Sequence, residues 1–307
     1  MGILLITAAI VAAVAVGVQA ERRRPQAAAL FARRALTVML YGLVPPVIFF
    51  NLAATHVDLE HAAGLGLGLV AMALAGLLVW LVASRVLGLA RERTGAVIVA
   101  VICVNSGYLG YPLVVTLLGH EELSTAVLYD IGVSGPSLLL GAFAVGAAFG
   151  TKAGEGVRDR VRAFFTRNPP LYAAVAALIA PDALAPTVLV DASQILLVAI
   201  LPLGFFAVGA TLAENAEHGR LPMPPPLTRP VSLAIAGRLL LVPGLLLLMA
   251  TTTIDLPDPY LLQAAMPTGL NSMVVAHAYG LDMEITAEAV TWSTAIVVLA
   301  ALGSLLL

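Results

Sequence analysis

An all-α polytopic membrane protein of ten transmembrane spans, arranged as an inverted repeat of five plus five, is the fold that this sequence predicts. Three observations carry the reading. The 307-residue chain is 60% hydrophobic and only 11% charged, with a mean hydropathy of +0.99, whereas soluble domains carry roughly 25% charged residues. Its Lys and Arg residues fall in alternate loops. Two of its long apolar segments, in opposite halves, are interrupted by residues poorly suited to a continuous helix.

Ten hydrophobic segments run over residues 3–19, 35–53, 62–84, 96–118, 124–148, 169–181, 190–212, 229–250, 260–279 and 286–306, most of them close to the roughly 20 residues a crossing needs. The sixth is short, with Pro170 and Pro181 at its ends. The first reads as a retained helix. Arg22, Arg23 and Arg24 follow its apolar run, whereas a signal peptide carries positive charge before that run.

Loop one holds Arg22, Arg23, Arg24, Arg33 and Arg34, and loop three holds Arg85, Arg91 and Arg93. Loop five holds Lys152, Arg158, Arg160, Arg162 and Arg167, and loop seven holds Arg220 and Arg229, with Arg238 in the first turns of span eight. These are all sixteen Lys and Arg residues. The even loops carry His56, Asp58, Glu60, Glu121, Glu122, Asp182, Asp191, Asp255 and Asp258 instead. The positive-inside rule then makes the odd loops cytoplasmic and both termini external. The expected location is the cell inner (plasma) membrane.

The hydrophilic stretch 150–168 divides the chain into halves, 1–149 and 169–307, of five spans each. An odd number of spans per half gives the second half the opposite orientation. Pro46-Val47-Ile48-Phe49-Phe50 in span two is echoed by Pro202-Leu203-Gly204-Phe205-Phe206 in span seven.

Span four is interrupted at Asn105-Ser106-Gly107-Tyr108-Leu109-Gly110-Tyr111-Pro112, and span nine at Pro267-Thr268-Gly269-Leu270-Asn271. Glycine loosens a helix, and proline removes a donor and clashes with the preceding turn. Inside a bilayer, irregular backbone is tolerated only where protein buries it or it lines a cavity. Two interrupted spans in corresponding halves point to a substrate site of a transporter.

The side-chain amides of Asn105 and Asn271 suit hydrogen bonds to a substrate. They suit equally the capping of half-helices or the joining of two helices. Pro112 fits the first turn of a second half-helix, where its missing N–H costs nothing. Asn271 and Ser272 are placed to cap the second half of span nine. Two positive half-helix ends would then favour an anion without a Lys or Arg in either break. Asp130, about two turns into span five, is either a proton or cation site, a partner of Arg238, or a buried structural carboxyl. Glu288 near the inner end of span ten is expected to face water, and His277 on span nine suits packing better than ligation. Tyr108 and Tyr111 flank the first break and either line a cavity or pack. Gly132-Val133-Ser134-Gly135 has the form of an intramembrane serine protease motif, with His277 on a later span. The ten-span, two-break layout fits that enzyme class poorly. The single Cys103 excludes a disulfide framework. No cofactor, metal or nucleic-acid partner is expected.

Together these segments resemble the auxin efflux carrier family, which includes the bacterial malate-permease-like and PIN-like transporters. Residues 105–113 are similar to its span-four break of form N-x-G-x-x-G-x-P, Leu201 to Ala210 to its span-seven segment, and Pro267 to Asn271 to its span-nine break. The resemblance implies a fold shared with NhaA-type antiporters and bile-acid symporters, in which the two broken helices cross near mid-membrane. Spans one, two, six and seven would form a scaffold that often dimerises; spans three to five and eight to ten would form a moving, elevator-like transport domain. Asn105 and Asn271, with Gly107 and Tyr108 beside the first, would meet a substrate carboxylate; Pro112 and Pro267 would hold the crossover. Relatives often carry Asn where Tyr108 stands. Arg238, Glu288, His277 and Asp130 remain the candidates for proton or ion coupling. The function so implied is alternating-access transport of small organic anions. A cation-coupled symporter or antiporter, and a non-transporting receptor, are the alternatives.

The charge pattern yields a direct test. In whole cells, cysteines introduced one at a time within 150–168 should react only with reagent reaching the cytoplasm, and cysteines within 119–122 with impermeant reagent outside. The reverse labelling overturns the orientation.

Overall fold

Backbone N–H and C=O groups within a bilayer must be satisfied inside the chain, which leaves helices or closed barrels as spanning structures. The computed structural model describes residues 3–54, 62–153, 157–214, 225–251 and 256–304. Among them every regular element is helical, apart from one isolated antiparallel bridge between Val104 and Thr268. His56, Asp58, Glu60, Arg220 and Asp255, used above to orient the loops, lie outside the described residues.

The helices in chain order are α1 (Ile3–Arg23), α2 (Pro25–Val38), α3 (Val44–Ala53), α4 (Ala62–Leu81), α5 (Arg91–Ile102), α6 (Tyr111–Leu117), α7 (Leu123–Tyr129) and α8 (Phe143–Phe149). The second half continues with α9 (Val157–Thr166), α10 (Pro169–Ile179), α11 (Thr187–Glu214), α12 (Arg229–Ala236), α13 (Val242–Ala250), α14 (Asp258–Ala264), α15 (Asn271–Tyr279) and α16 (Met283–Ser304).

Five stretches among the described residues are long and apolar enough to cross a membrane: Pro25–Phe50, Ala62–Val86, Thr125–Phe149, Arg229–Ala250 and Met283–Ser304. Others are shorter. The sixth expected span is α10, of 11 residues, only about 16 Å long at 1.5 Å per residue. The second expected span starts ten residues earlier than its hydropathy suggested, because Pro25 opens α2 in the first helical turn, a position where proline fits.

Three of the long stretches join two helical pieces through a π-helical turn, at Met39–Leu43, Asp130–Ser134 and Gly237–Leu241, and a fourth such turn, Ser106–Gly110, leads into α6. Each of these four turns is followed two residues later by proline: Pro45, Pro112, Pro136 and Pro243. Proline cannot donate to the carbonyl four residues back. A widened turn just before it absorbs the missing bond without ending the segment.

Two groups of helices pack around the chain. In the first, α11 lies against α1, α2 and α3, and α10 lies against α3. In the second, α5 is surrounded by α4, α8, α12, α15 and α16. The groups touch where α11 meets α16 and where α2 meets α15. The α1–α11 contact is backbone to backbone. A Cβ on Gly17 would strike the carbonyl oxygen of Phe206, and one on Gly209 would strike that of Val14. Close approach through small residues is how helices associate where apolar burial gives no drive.

Gly209→Val should therefore separate α1 from α11. The expected cost is about 1–3 kcal/mol, in the range of overpacked cores, read as a lowered melting midpoint of the purified protein. An unchanged midpoint contradicts the contact.

Candidate functional site at the crossing of two broken helices

Helix α5 ends at Ile102, and Cys103 turns into extended backbone with φ −88° and ψ 110°. Helix α14 ends at Ala264, and regular helix resumes only at Asn271. The two interruptions meet and pair like short antiparallel strands. The Asn105 amide donates to the Pro267 carbonyl at 2.8 Å, and the Gly269 amide donates to the Cys103 carbonyl at 2.8 Å. A Cβ on Gly269 would lie 2.6 Å from the Val104 carbonyl oxygen, so only glycine permits this approach.

The freed carbonyls of α5 are accounted for almost one by one. Val99 accepts from the Cys103 amide at 2.9 Å. Ala100 accepts from the Thr268 hydroxyl at 2.8 Å, and Val101 from Nη1 of Arg238 at 2.9 Å. Across the crossing, the Ala264 carbonyl at the end of α14 accepts from Nη2 of the same arginine. The Thr268 amide donates to the Ser293 hydroxyl at 3.0 Å, which ties α16 to the crossing. Arg238 is fully buried and reaches in from the π turn between α12 and α13.

The two halves beyond the breaks start differently from expectation. Pro112 sits in the first turn of α6 as predicted. Asn271 and Ser272 do not cap α15: its N-cap is Leu270, with no side-chain cap bond. The Ser272 hydroxyl instead donates back to the Gly269 carbonyl at 2.7 Å. Its amide also bonds Gly269, at 3.0 Å, so tight local bonds replace the expected cap. The Asn271 residue is half-buried, whereas Pro267, Thr268, Gly269 and Leu270 are buried. The contact of this tip with α11 is close, since a Cβ on Gly204 would lie 2.7 Å from a Leu270 methyl.

Asn105 is 2% exposed, and neither its Nδ2 nor its Oδ1 has a hydrogen-bond partner. Nearby, Gln263 on α14 is fully buried; its Nε2 donates to the Ser106 carbonyl at 3.4 Å, and its Oε1 has no partner. Buried polar groups in native proteins are almost always satisfied by protein, water or ligand. Gly107 lies in the π turn that follows Asn105; the Tyr108 side chain lies outside the described residues.

Asp130 opens the π turn between α7 and the Pro136 region. Its carboxylate accepts from the Ser106 hydroxyl and, at 2.6 Å, from the Tyr111 hydroxyl. Its partners include two hydroxyls of the first break, and those of Arg238 are carbonyls and the Met72 sulfur; the two residues do not form an ion pair. Glu288 does not face water. It is 3% exposed on α16, because its position on that helix turns it toward the packed interior. Glu284, Asp282 and Arg93 are its charged neighbours.

His277 stands away from the crossing. Its Nε2 is 3.2 Å from the Thr37 hydroxyl, not beside Ser134. It lines a cavity of about 280 Å³ between α2, α11 and the start of α16, together with Arg33, Glu214 and Asp282. Around it, cations sit on helix C-termini, where the helix dipole favours them. Lys152 donates to the His277 carbonyl at 2.7 Å, and Arg167 to the Ala278 carbonyl at 2.8 Å.

Sequence reading missed Gln263, Thr268, Ser293 and Ser106 as parts of this network. Each is a polar residue in an apolar segment, but nothing in linear spacing says which of them meet.

A polytopic helical protein whose two interrupted helices pair within its buried core has the architecture of a membrane carrier. The chain matches the membrane transport protein family over residues 162–304. It is 23% identical over 291 residues to an uncharacterized transporter of Methanocaldococcus jannaschii, covering 88% of each chain. It is 28% identical over 271 residues to an uncharacterized transporter of Methanothermobacter thermautotrophicus, covering 84% of this chain and 82% of that one. Over most of its length the chain is thus similar to membrane transport proteins, with the family match covering its second half.

Thr268→Val should leave the Ala100 carbonyl without its donor, at a cost of about 1–3 kcal/mol for the unmet buried group. Thr268→Ser should retain most of the wild-type stability. Chemical unfolding in detergent checks both, and equal stability of the Val variant contradicts the network.

Proposed function

We propose that this carrier moves small organic anions, mono- or dicarboxylates, by alternating access around the crossing. The observation that supports it best is the buried, unpartnered amide of Asn105 beside the paired breaks. An amide offers two donors to a carboxylate and one acceptor to a hydroxyl or acid proton. The helical segment that begins at Ser106 and helix α15 each present a positive N-terminal end, which favours negative charge. Asn271, Gly107 and Tyr108 complete the proposed contact set, and Pro112 and Pro267 hold its backbone.

In this reading the halves 1–149 and 169–307 form an inverted repeat of ten spans, with 150–168 as a cytoplasmic linker. The α1, α2, α3, α10 and α11 group is the scaffold, on which two copies pair. The group around α5 moves against it in an elevator-like stroke and carries the crossing. An inside-negative potential, worth about 2.3 kcal/mol per charge per 100 mV, favours export of an anion. Asp130 links charge to movement, because its carboxylate holds the Ser106 and Tyr111 hydroxyls of the first break. A proton taken up there weakens both bonds.

A panel of carboxylates scored by thermal shift on purified protein, followed by uptake into proteoliposomes, tests the substrate class. At least one carboxylate should raise the melting midpoint and be transported, and Asn105→Ala should abolish that transport while the protein remains folded. Undiminished uptake by Asn105→Ala removes it from the site. Asp130→Asn should flatten the pH profile of the same uptake; an unaltered profile leaves Asp130 a structural role only.

A further inference from the structure

Among the described residues, Arg238 is the one side chain that hydrogen-bonds carbonyls at the C-terminal ends of both helices leading into the crossing. Each such end carries about half an elementary negative charge, and carbonyl oxygens gathered at low dielectric are what hard cations bind. From the geometry we infer that the Arg238 guanidinium is a built-in counter-cation, seated where a coupling metal ion would otherwise bind, so that the crossing works without sodium. The inference rests on the crossing being the transport centre, but not on the identity of the substrate.

The physical argument has three steps. Two half charges from α5 and α14 sum to about one unit, which a single guanidinium cancels. Its planar fork presents several donors in fixed directions, and here it spans the Val101 and Ala264 carbonyls together while Nη1 also contacts the Met72 sulfur at 3.4 Å. A bound ion enters and leaves during a cycle, whereas this charge is carried by the chain and does not lose its proton. The α5 and α14 ends are therefore neutralised at every stage. The segments beyond the breaks, which begin at Ser106 and Asn271, take no part in this neutralisation. Arg238 is thus a positioning residue: it acts through the two helix ends, and Gly237 before it packs so closely that a Cβ there would lie 2.7 Å from a Val101 methyl.

Cys103, the sole cysteine, is a native reporter, 2% exposed at the end of α5 with its carbonyl bonded to Gly269. The test measures melting midpoints and the rate of Cys103 labelling by a maleimide, well below the midpoint, in equimolar sodium chloride and choline chloride. Wild type should show the same midpoint in both salts and slow labelling in both. Arg238→Met and Arg238→Ala should melt lower and label several-fold faster. Arg238→Lys, which keeps one charge but not the fork, should lie between. Low millimolar guanidinium should restore protection to Arg238→Ala, and urea at the same concentration should not. A wild-type midpoint raised by sodium over choline overturns the inference, as does wild-type protection of Cys103 in Arg238→Met. Should the Met and Ala variants fail to fold, Arg238→Lys decides: intermediate labelling without a sodium response supports the inference, and wild-type labelling or a sodium-raised midpoint overturns it. No arm contains an organic anion, so failure of the carboxylate panel leaves this result independent.

Discussion

The constraint that governs this molecule is the need to satisfy broken backbone where no bulk water can reach it. Breaking one membrane helix strands several carbonyls and amides, each costing kilocalories if unmet. Here the two breaks answer one another. Cys103 and Asn105 exchange bonds with Gly269 and Pro267, and the Thr268 hydroxyl and the Arg238 guanidinium take the carbonyls that remain at Ala100, Val101 and Ala264. The pairing fixes both helices at one point, so a movement of either carries the other. Glycine at position 269 is demanded by this geometry, since the opposing Val104 carbonyl occupies the space of a side chain.

Against that largely paired backbone, the unmet side-chain groups stand out. The chain spends its polar resources to neutralise the crossing's carbonyl ends, yet leaves the Asn105 amide buried and unpartnered. That contrast is what the proposed carboxylate site rests on. The same asymmetry separates the roles of the charged residues. Arg238 serves the backbone, Asp130 holds the hydroxyls of the first break, and Lys152 and Arg167 secure the C-terminal end of α15 at the far side.

Much of this was legible in the sequence, and the reasons for the rest are physical. Hydropathy and low charge gave the polytopic class, and Gly and Pro clusters gave both breaks, because those residues act locally. The four prolines that each follow a π turn by two positions are also a local signal, readable once the rule is known. What linear spacing does not encode is which polar residues meet across the bundle. Ser293 and Thr268 are 25 positions apart and bond directly. Arg238 was recognised as a charge in span eight, but its two carbonyl partners, on helices distant in sequence, were not. Asn271 and Ser272 looked like caps because Asn and Ser favour that position. The turn beginning at Gly269 met its own needs first, and the cap was not formed. The sixth segment read as short and bounded by Pro170 and Pro181, and α10 is short, at 11 residues.

The most direct measurement is an experimental density map of the protein with a stabilising carboxylate bound. The account expects the ligand carboxylate within about 3 Å of the Asn105 side-chain nitrogen, with the Val104–Thr268 pairing intact. A carboxylate seated elsewhere, with the Asn105 amide bonded to protein, contradicts it.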